Sequence, residues 1–284
     1  MTDATIGVPL IVADDEGDDR LRAARVSAQR ARKRRLQTLG IQSISLAVVL
    51  TIWQIVGMHT NAALFTTPTA VAVAAVEMIG SGELWKYLAP SLIVFSAGLA
   101  ISIVTGIAVG LLLARFWVFD VAMGPYMTFL YSTPAVALVP LIVLWTGYEL
   151  TAKTIIMVLF AFFPIAINTY QGVKNVDSKL LEVGRAFRCS ERQLWINIIL
   201  PAALPFIIAG LRLAVGRGLI GMVLADLYTA ISGIGYLIVR SASTYRVDRM
   251  FVPIVTLGLL GVSMTALVSF LDRRLVPWTA ANKE

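Results

Sequence analysis

YLAPSLIVFSAGLAISIVTGIAVGLLLA, Tyr87–Ala114, runs for 28 residues without a charge. About 20 mostly apolar residues in a helix are enough to cross a bilayer core, so this stretch predicts a membrane span. Working outward from it, Leu39–Met58, Val121–Tyr148, Thr154–Val173 and Phe251–Leu271 are charge-free as well. A further helix from about Leu204 to Ala225 carries Arg212 and Arg217 within it. The pattern predicts an all-α, polytopic membrane protein of about six spans.

Composition agrees. Apolar residues make up 58% of the chain and charged residues 14%, with mean hydropathy +0.80. Soluble domains run at roughly 45–50% and about 25%. These values exclude a soluble enzyme, a disordered chain and a nucleic-acid binder working through a basic surface. The single Cys189 forbids an internal disulfide or a cysteine metal cluster. His59, the one imidazole, lies at the outer edge of the first span and reads as an interfacial residue.

The net charge of +7 is placed rather than spread. Eight of the 24 Lys/Arg fall between Arg20 and Arg35, just ahead of the first apolar run. With the N-terminus inside, 17 Lys/Arg lie on inside segments and five outside: Lys86, Lys153, Arg240, Arg246 and Arg249. That bias puts both termini in the cytoplasm. Residues 1–38 read as a solvated, mobile cytoplasmic tail, 39–276 as the transmembrane permease domain and 277–284 as a cytoplasmic C-terminal tail. No cleavable signal peptide is visible.

Gly98, Ser102, Gly106 and Gly110 recur every four residues, and Gly210, Ala214 and Gly218 repeat the pattern. Such stripes let backbones approach closely, within one bundle or along a dimer seam. Pro125, Pro134, Pro140 and Pro164 fall inside the third and fourth spans. Proline frees a carbonyl and bends a membrane helix, tolerable where neighbours or a wet path satisfy it, and broken helices are common in transporters.

The polar loop 175–204 reads NVDSKLLEVGRAFRCSERQLWINIILPAAL. Asp177 or Ser178 caps a first short helix through Arg188. Ser190, with Gln193 three residues on, caps a second, which Pro201 stops. The result is a helical knob suited to docking rather than catalysis. Cys189 within it reads as a structural cysteine, with Arg188 and Arg192 close enough to raise its reactivity.

Glu182, Ile198, Leu200 and Pro201 match the spacing of the signature of ATP-binding-cassette importer permeases: E-A-A, three residues, G, nine residues, I-x-L-P. Val183 and Gly184 replace the two alanines, and Arg188 stands where the family has glycine. Thr133–Leu150, Phe162–Asp177 and Gly233–Ile238 also resemble the nitrate, taurine and aliphatic-sulfonate branch. The resemblance extends over roughly Leu64 to Val276. It implies a type I importer fold in the bacterial cytoplasmic (inner) membrane, working as a homodimer with an ATPase subunit dimer and an extracytoplasmic substrate-binding protein. It implies that the first short helix is a coupling helix, with Glu182, Val183, Gly184, Arg185, Ala186, Phe187, Arg188 and Ser190 meeting the ATPase. Arg188 in place of glycine, which supplies positive φ cheaply, departs from the usual turn geometry; an arginine is accepted there if the turn shifts to Cys189–Ser190. No G-x-x-x-x-G-K-[ST] occurs in the chain, so ATP and magnesium are expected on a separate ATPase and no cofactor here.

Ionisable residues inside a membrane are expensive and serve a path or a pair. Arg212 lies near the cytoplasmic end and can snorkel. Arg217 lies deeper and either faces a path as an attraction for anions or partners a buried group. It sits nine residues from Asp226, on the far side of the helix, so the two do not pair. Thr229–Arg249 is too short to span and reads as re-entrant or interfacial; in the resembled family this region helps seal the outer end of the path. Pro134, Arg217, Asp226 and Tyr236 are the candidate path residues. A small anion such as a sulfonate, taurine, nitrate, bicarbonate or an organic carboxylate is the expected cargo. The alternative is a secondary transporter or channel uncoupled from an ATPase; a membrane enzyme lacks a metal cluster or a nucleophile–base pair.

Overall fold

A computed structural model describes residues 15–229 and 231–276, with side chains for 33, 34 and 36 onward. Two units divide it, Met1–Thr60 and Asn61–Glu284. The expected C-terminal tail 277–284, and the first 14 residues of the expected N-terminal tail, lie outside the described residues.

In the first unit one helix, α1 (Asp15–Met58), fills 44 residues. The stretch expected to be a mobile tail is therefore helical from Asp15 onward. Its Arg-, Ala- and Gln-rich composition favours helix, and Asp15, Glu16, Asp18 and Asp19 fall at the N-terminal end, where the helix dipole is positive. Leu36–Met58 is long and apolar enough to span.

The second unit contains α2 (Pro68–Gly80), α3 (Glu83–Arg115), α4 (Trp117–Ser132), α5 (Ala135–Thr146), α6 (Leu150–Lys174), α7 (Ser178–Ala186), α8 (Glu191–Leu194), α9 (Leu200–Thr229), α10 (Ile234–Ser243) and α11 (Val247–Leu275). Four of its helical stretches are long and apolar enough to span; with α1 that makes five, or six with the bent pair α4–α5. The helices outrun the charge-free runs at both ends, because terminal residues such as Glu83, Arg115 and Lys174 are helical too. α2 carries no charge-free run long enough to signal it; Thr67 caps it through the Ala70 N–H at 3.2 Å, and Pro68 opens it.

Three expectations change. The third span is not one helix: α4 and α5 meet at 98°. Thr133, held extended by the following proline at φ −70°, ψ 134°, breaks the turn, and Pro134 has no N–H to continue it. Pro201 does not stop the second loop helix. The chain passes from α8 through a five-residue π-turn, Trp195–Ile199, into α9. The wider turn, closed by Leu200 N–H donating to the Trp195 carbonyl, relieves the proline ring of its clash one turn back. The fifth span accordingly runs from Leu200 to Thr229 rather than from Leu204 to Ala225.

α6 is the central helix, with α3 on one side and α9 on another. Gly98, Gly106 and Gly110 of α3 lie against Met157, Ile165 and Thr169. Gly210 and Gly218 of α9 lie against Asn168 and Met157. Both small-residue stripes thus pack within the chain. Phe95, Met157, Ile165, Val215 and Met222 fill the core between them, each less than a tenth exposed.

Candidate functional site

Asp177, not Ser178, caps α7, accepting the Lys179 N–H at 2.9 Å. The helix ends at Ala186 rather than running through Arg188, which follows the Phe187 cap with φ 52°. Cys189 N–H donates to the Gly184 carbonyl at 3.0 Å and Arg188 N–H to the Arg185 carbonyl at 2.9 Å, the paired bonds of a Schellman turn. The turn therefore does not shift to Cys189–Ser190; the arginine itself takes the left-handed conformation, at a cost of about 1–2 kcal/mol. Ser190 and Gln193 form the expected capping box on α8, with Ser190 N–H donating to Gln193 Oε1 at 2.8 Å.

Gly184 is buried at the seam of the knob. A Cβ there would stand 2.6 Å from Leu194 Cδ2 and 2.7 Å from Ile198 Cδ1, so a side chain would push α7 off the π-turn. Everything else in the candidate set faces out: Glu182, Arg185, Ala186, Arg188 and Ser190 are exposed, with Val183 at 53% and Phe187 at 80%. Glu182 makes no ion pair among the described residues. Leu180, at 48% exposed, adds to Val183 and Phe187 on the outer side of the knob.

Asp226 is fully buried. Lys153, on the first turn of α6, reaches it at 2.7 Å and also donates to the Ser232 carbonyl at 2.6 Å and its Oγ at 3.1 Å. The three ammonium protons are thereby used. Ser91 of α3 donates to Asp226 Oδ2 at 2.5 Å and accepts the Ile234 N–H at 2.8 Å. Gly233, at φ 101°, leaves no room for a Cβ beside the carboxylate. Lys153, read from sequence as an outside-loop cation, is therefore a buried clasp joining α3, α6, α9 and the segment before α10. The other cations expected outside are engaged as well: Lys86 lies over the Tyr87 ring at 5.8 Å, Arg240 donates to Tyr87 Oη at 2.7 Å, Arg246 pairs with Asp248 at 3.0 Å, and Arg249 bridges Glu77 and Glu83. Tyr236 stacks on Tyr87 with ring centroids 5.7 Å apart.

Arg212 pairs with Asp272 of α11 at 3.0 Å rather than simply snorkelling. Arg217 has no carboxylate partner among the described residues. Its guanidinium lies 4.9 Å from the centroid of Tyr131, at the end of α4. The two line a cavity of about 310 Å³ whose other walls include Thr133, Ala135, Leu159 and Phe163. Tyr131 also lines a second cavity of about 380 Å³, with Asp120, Thr128, Ile167 and Tyr170. Asp120 there accepts from Lys174 and Tyr170, both at 3.0 Å.

Of the candidate path residues, Arg217 meets the helix break that Pro134 makes. Asp226 and Tyr236 belong to the clasp region, joined by the Gly235 N–H donating to Asp226 Oδ2 at 3.4 Å. The sequence reading missed Lys153, Ser91 and Tyr131. A buried aspartate requires a cation, and Lys153 at the outer end of α6 was the signal for the first; nothing local marked the other two.

The family model described as binding-protein-dependent transport system inner membrane component matches residues 102–277. The aliphatic sulfonates transport permease protein SsuC of Bacillus subtilis (strain 168) is 33% identical over 234 residues, 82% of this chain and 85% of its own. The formylaminopyrimidine transport permease protein ThiX of Halalkalibacterium halodurans is 33% identical over 81% of this chain and 92% of its own. A crystal structure of an amino acid ABC transporter with histidines shares the fold, with TM-score 0.54 at 18% identity over 70% of this chain and 97% of that one.

Proposed function

The chain belongs to the binding-protein-dependent transport system inner membrane components, and from that premise we propose that it carries a small anion across the bacterial inner membrane by alternating access. Two copies work with two ATPase subunits, which hold ATP and magnesium, and with an extracytoplasmic binding protein. Both termini and the knob face the cytoplasm. The knob carries this reading. Its exposed Phe187 and Val183, ringed by Glu182, Arg185 and Arg188, are an apolar anchor with a charged rim, the make-up of an interface core. Arg217, an uncompensated cation beside a cavity, supports an anion. The sulfonate named for one relative fits that charge; the formylaminopyrimidine named for another does not require it.

The test is whether a neighbouring reading frame encodes an ATPase that co-purifies with this chain, followed by uptake of labelled taurine and alkanesulfonate into vesicles. ATP-dependent uptake that needs the ATPase supports the reading. Uptake driven by an ion gradient without any ATPase overturns it. Labelling from outside intact cells of Ser27→Cys or Ala281→Cys, on a Cys189→Ser background, overturns the topology.

A further inference from the structure

Tyr131 stands in both cavities. Along α6, Leu159 and Phe163 line the one that holds Arg217, while Ile167 and Tyr170 line the other. Eight residues of helix separate Leu159 from Ile167, about 12 Å. The cavities, both half-open, are therefore stacked along α6, one beside Arg217 and one toward the Lys174 end, where the knob begins. The ring between them has two holds: the guanidinium of Arg217 at 4.9 Å and the ring of Phe163 at 6.3 Å. It is carried by the last turn of α4, two residues before Thr133, where the span turns through 98°. A change of angle at that break moves the ring relative to α6 and α9.

We infer that the Tyr131 ring is a movable partition between two chambers of the transport path, latched by its cation–π contact with Arg217. The inference rests on the permease reading above. An anion that takes the guanidinium competes with the ring for the same charge, because neutralising the cation weakens its attraction to the aromatic quadrupole. Cargo beside Arg217 thus loosens the partition between that chamber and the knob-side one. The ring face, not the hydroxyl, is the working part, so Tyr131 is a positioning residue that phenylalanine can replace.

The test uses the full chain in its own membrane, as vesicles that expose the knob face, on a Cys189→Ser background. The probe is methanethiosulfonate ethylsulfonate, a small impermeant thiol reagent that is itself a sulfonate. Leu159→Cys reports the chamber beside Arg217 and Ile167→Cys the knob-side one. With Tyr131→Ala, labelling of Leu159→Cys rises about tenfold, the scale of one lost cation–π contact. With Tyr131→Phe it stays at the parent rate, and Ile167→Cys is labelled equally in all three backgrounds. Should Tyr131→Ala not assemble, Tyr131→Leu also removes the ring and is read the same way. An unchanged rate at Leu159→Cys without the ring, an equal rise with Tyr131→Phe, or a matching rise at Ile167→Cys each overturns the partition. No ATPase or ATP enters this measurement, so failure of the permease reading shows in co-purification and uptake and not here.

Discussion

Lys153 and Arg217 are both cations within apolar helices, and their surroundings are opposite. Lys153 donates to a carboxylate, a carbonyl and a hydroxyl, and is almost wholly buried. Arg217 has an aromatic face and a cavity. A cation inside a bundle either completes a polar cluster or stays open to something that arrives. Lys153 holds α3, α6, α9 and the segment before α10 together, while Arg217 has no carboxylate partner among the described residues. Burial and the number of filled donors separate them together: Lys153 is 4% exposed with its donors used, and Arg217 is exposed with no such partner.

The largest effect should come from emptying the closed cluster. Asp226→Ala leaves Lys153 buried without its carboxylate, a loss of about 3–5 kcal/mol. We expect little folded protein in detergent, read by size-exclusion of a fluorescent fusion. Replacing both partners together, Lys153→Met with Asp226→Leu, should recover much of that stability. A double variant no better folded than Asp226→Ala would show that the cluster does more than balance charge.

On the exposed knob the effect should fall on function alone. Glu182→Lys should fold normally, since the carboxylate has no core to support, yet lose ATPase association and uptake. Normal complex recovery and normal uptake would remove Glu182 from the docking surface.

Arg217 gives the sharper contrast with Lys153. Arg217→Gln should insert, fold and bind the ATPase, while anion uptake falls about tenfold, the loss of about 1.4 kcal/mol. Arg217→Lys should restore part of it, keeping charge without the planar fork. If instead both variants lower thermal stability and leave uptake per folded molecule unchanged, Arg217 is a structural cation like Lys153.

The smallest effect concerns the turn. Arg188→Gly should stabilise the knob by about 1 kcal/mol, because glycine occupies positive φ without the Cβ penalty. A drop in thermal stability would show that the arginine side chain makes a compensating contact.

The capping box at Ser190 and Gln193 was legible because it is written within four consecutive residues. The spans were legible because a bilayer demands a long apolar run wherever the helix sits. The break at Thr133–Pro134 was legible only as a proline inside a span, since Pro125 and Pro140 look alike in sequence and leave α4 and α5 helical. Pro201 misled for the same reason: the π-turn that accommodates it is a property of the assembled segment and not of the residue.

By itself the sequence determined the class of molecule, the approximate places of its apolar runs, the knob and the charge on Arg217, because local periodicity and composition act on each helix separately. Only the tertiary structure decided that Lys153 meets Asp226 across 73 positions, that Ser91 joins them from α3, and that Tyr131 covers Arg217. Those pairings depend on which faces of α3, α6 and α9 the glycine stripes bring together, and helix contacts between distant segments leave no spacing rule in the chain.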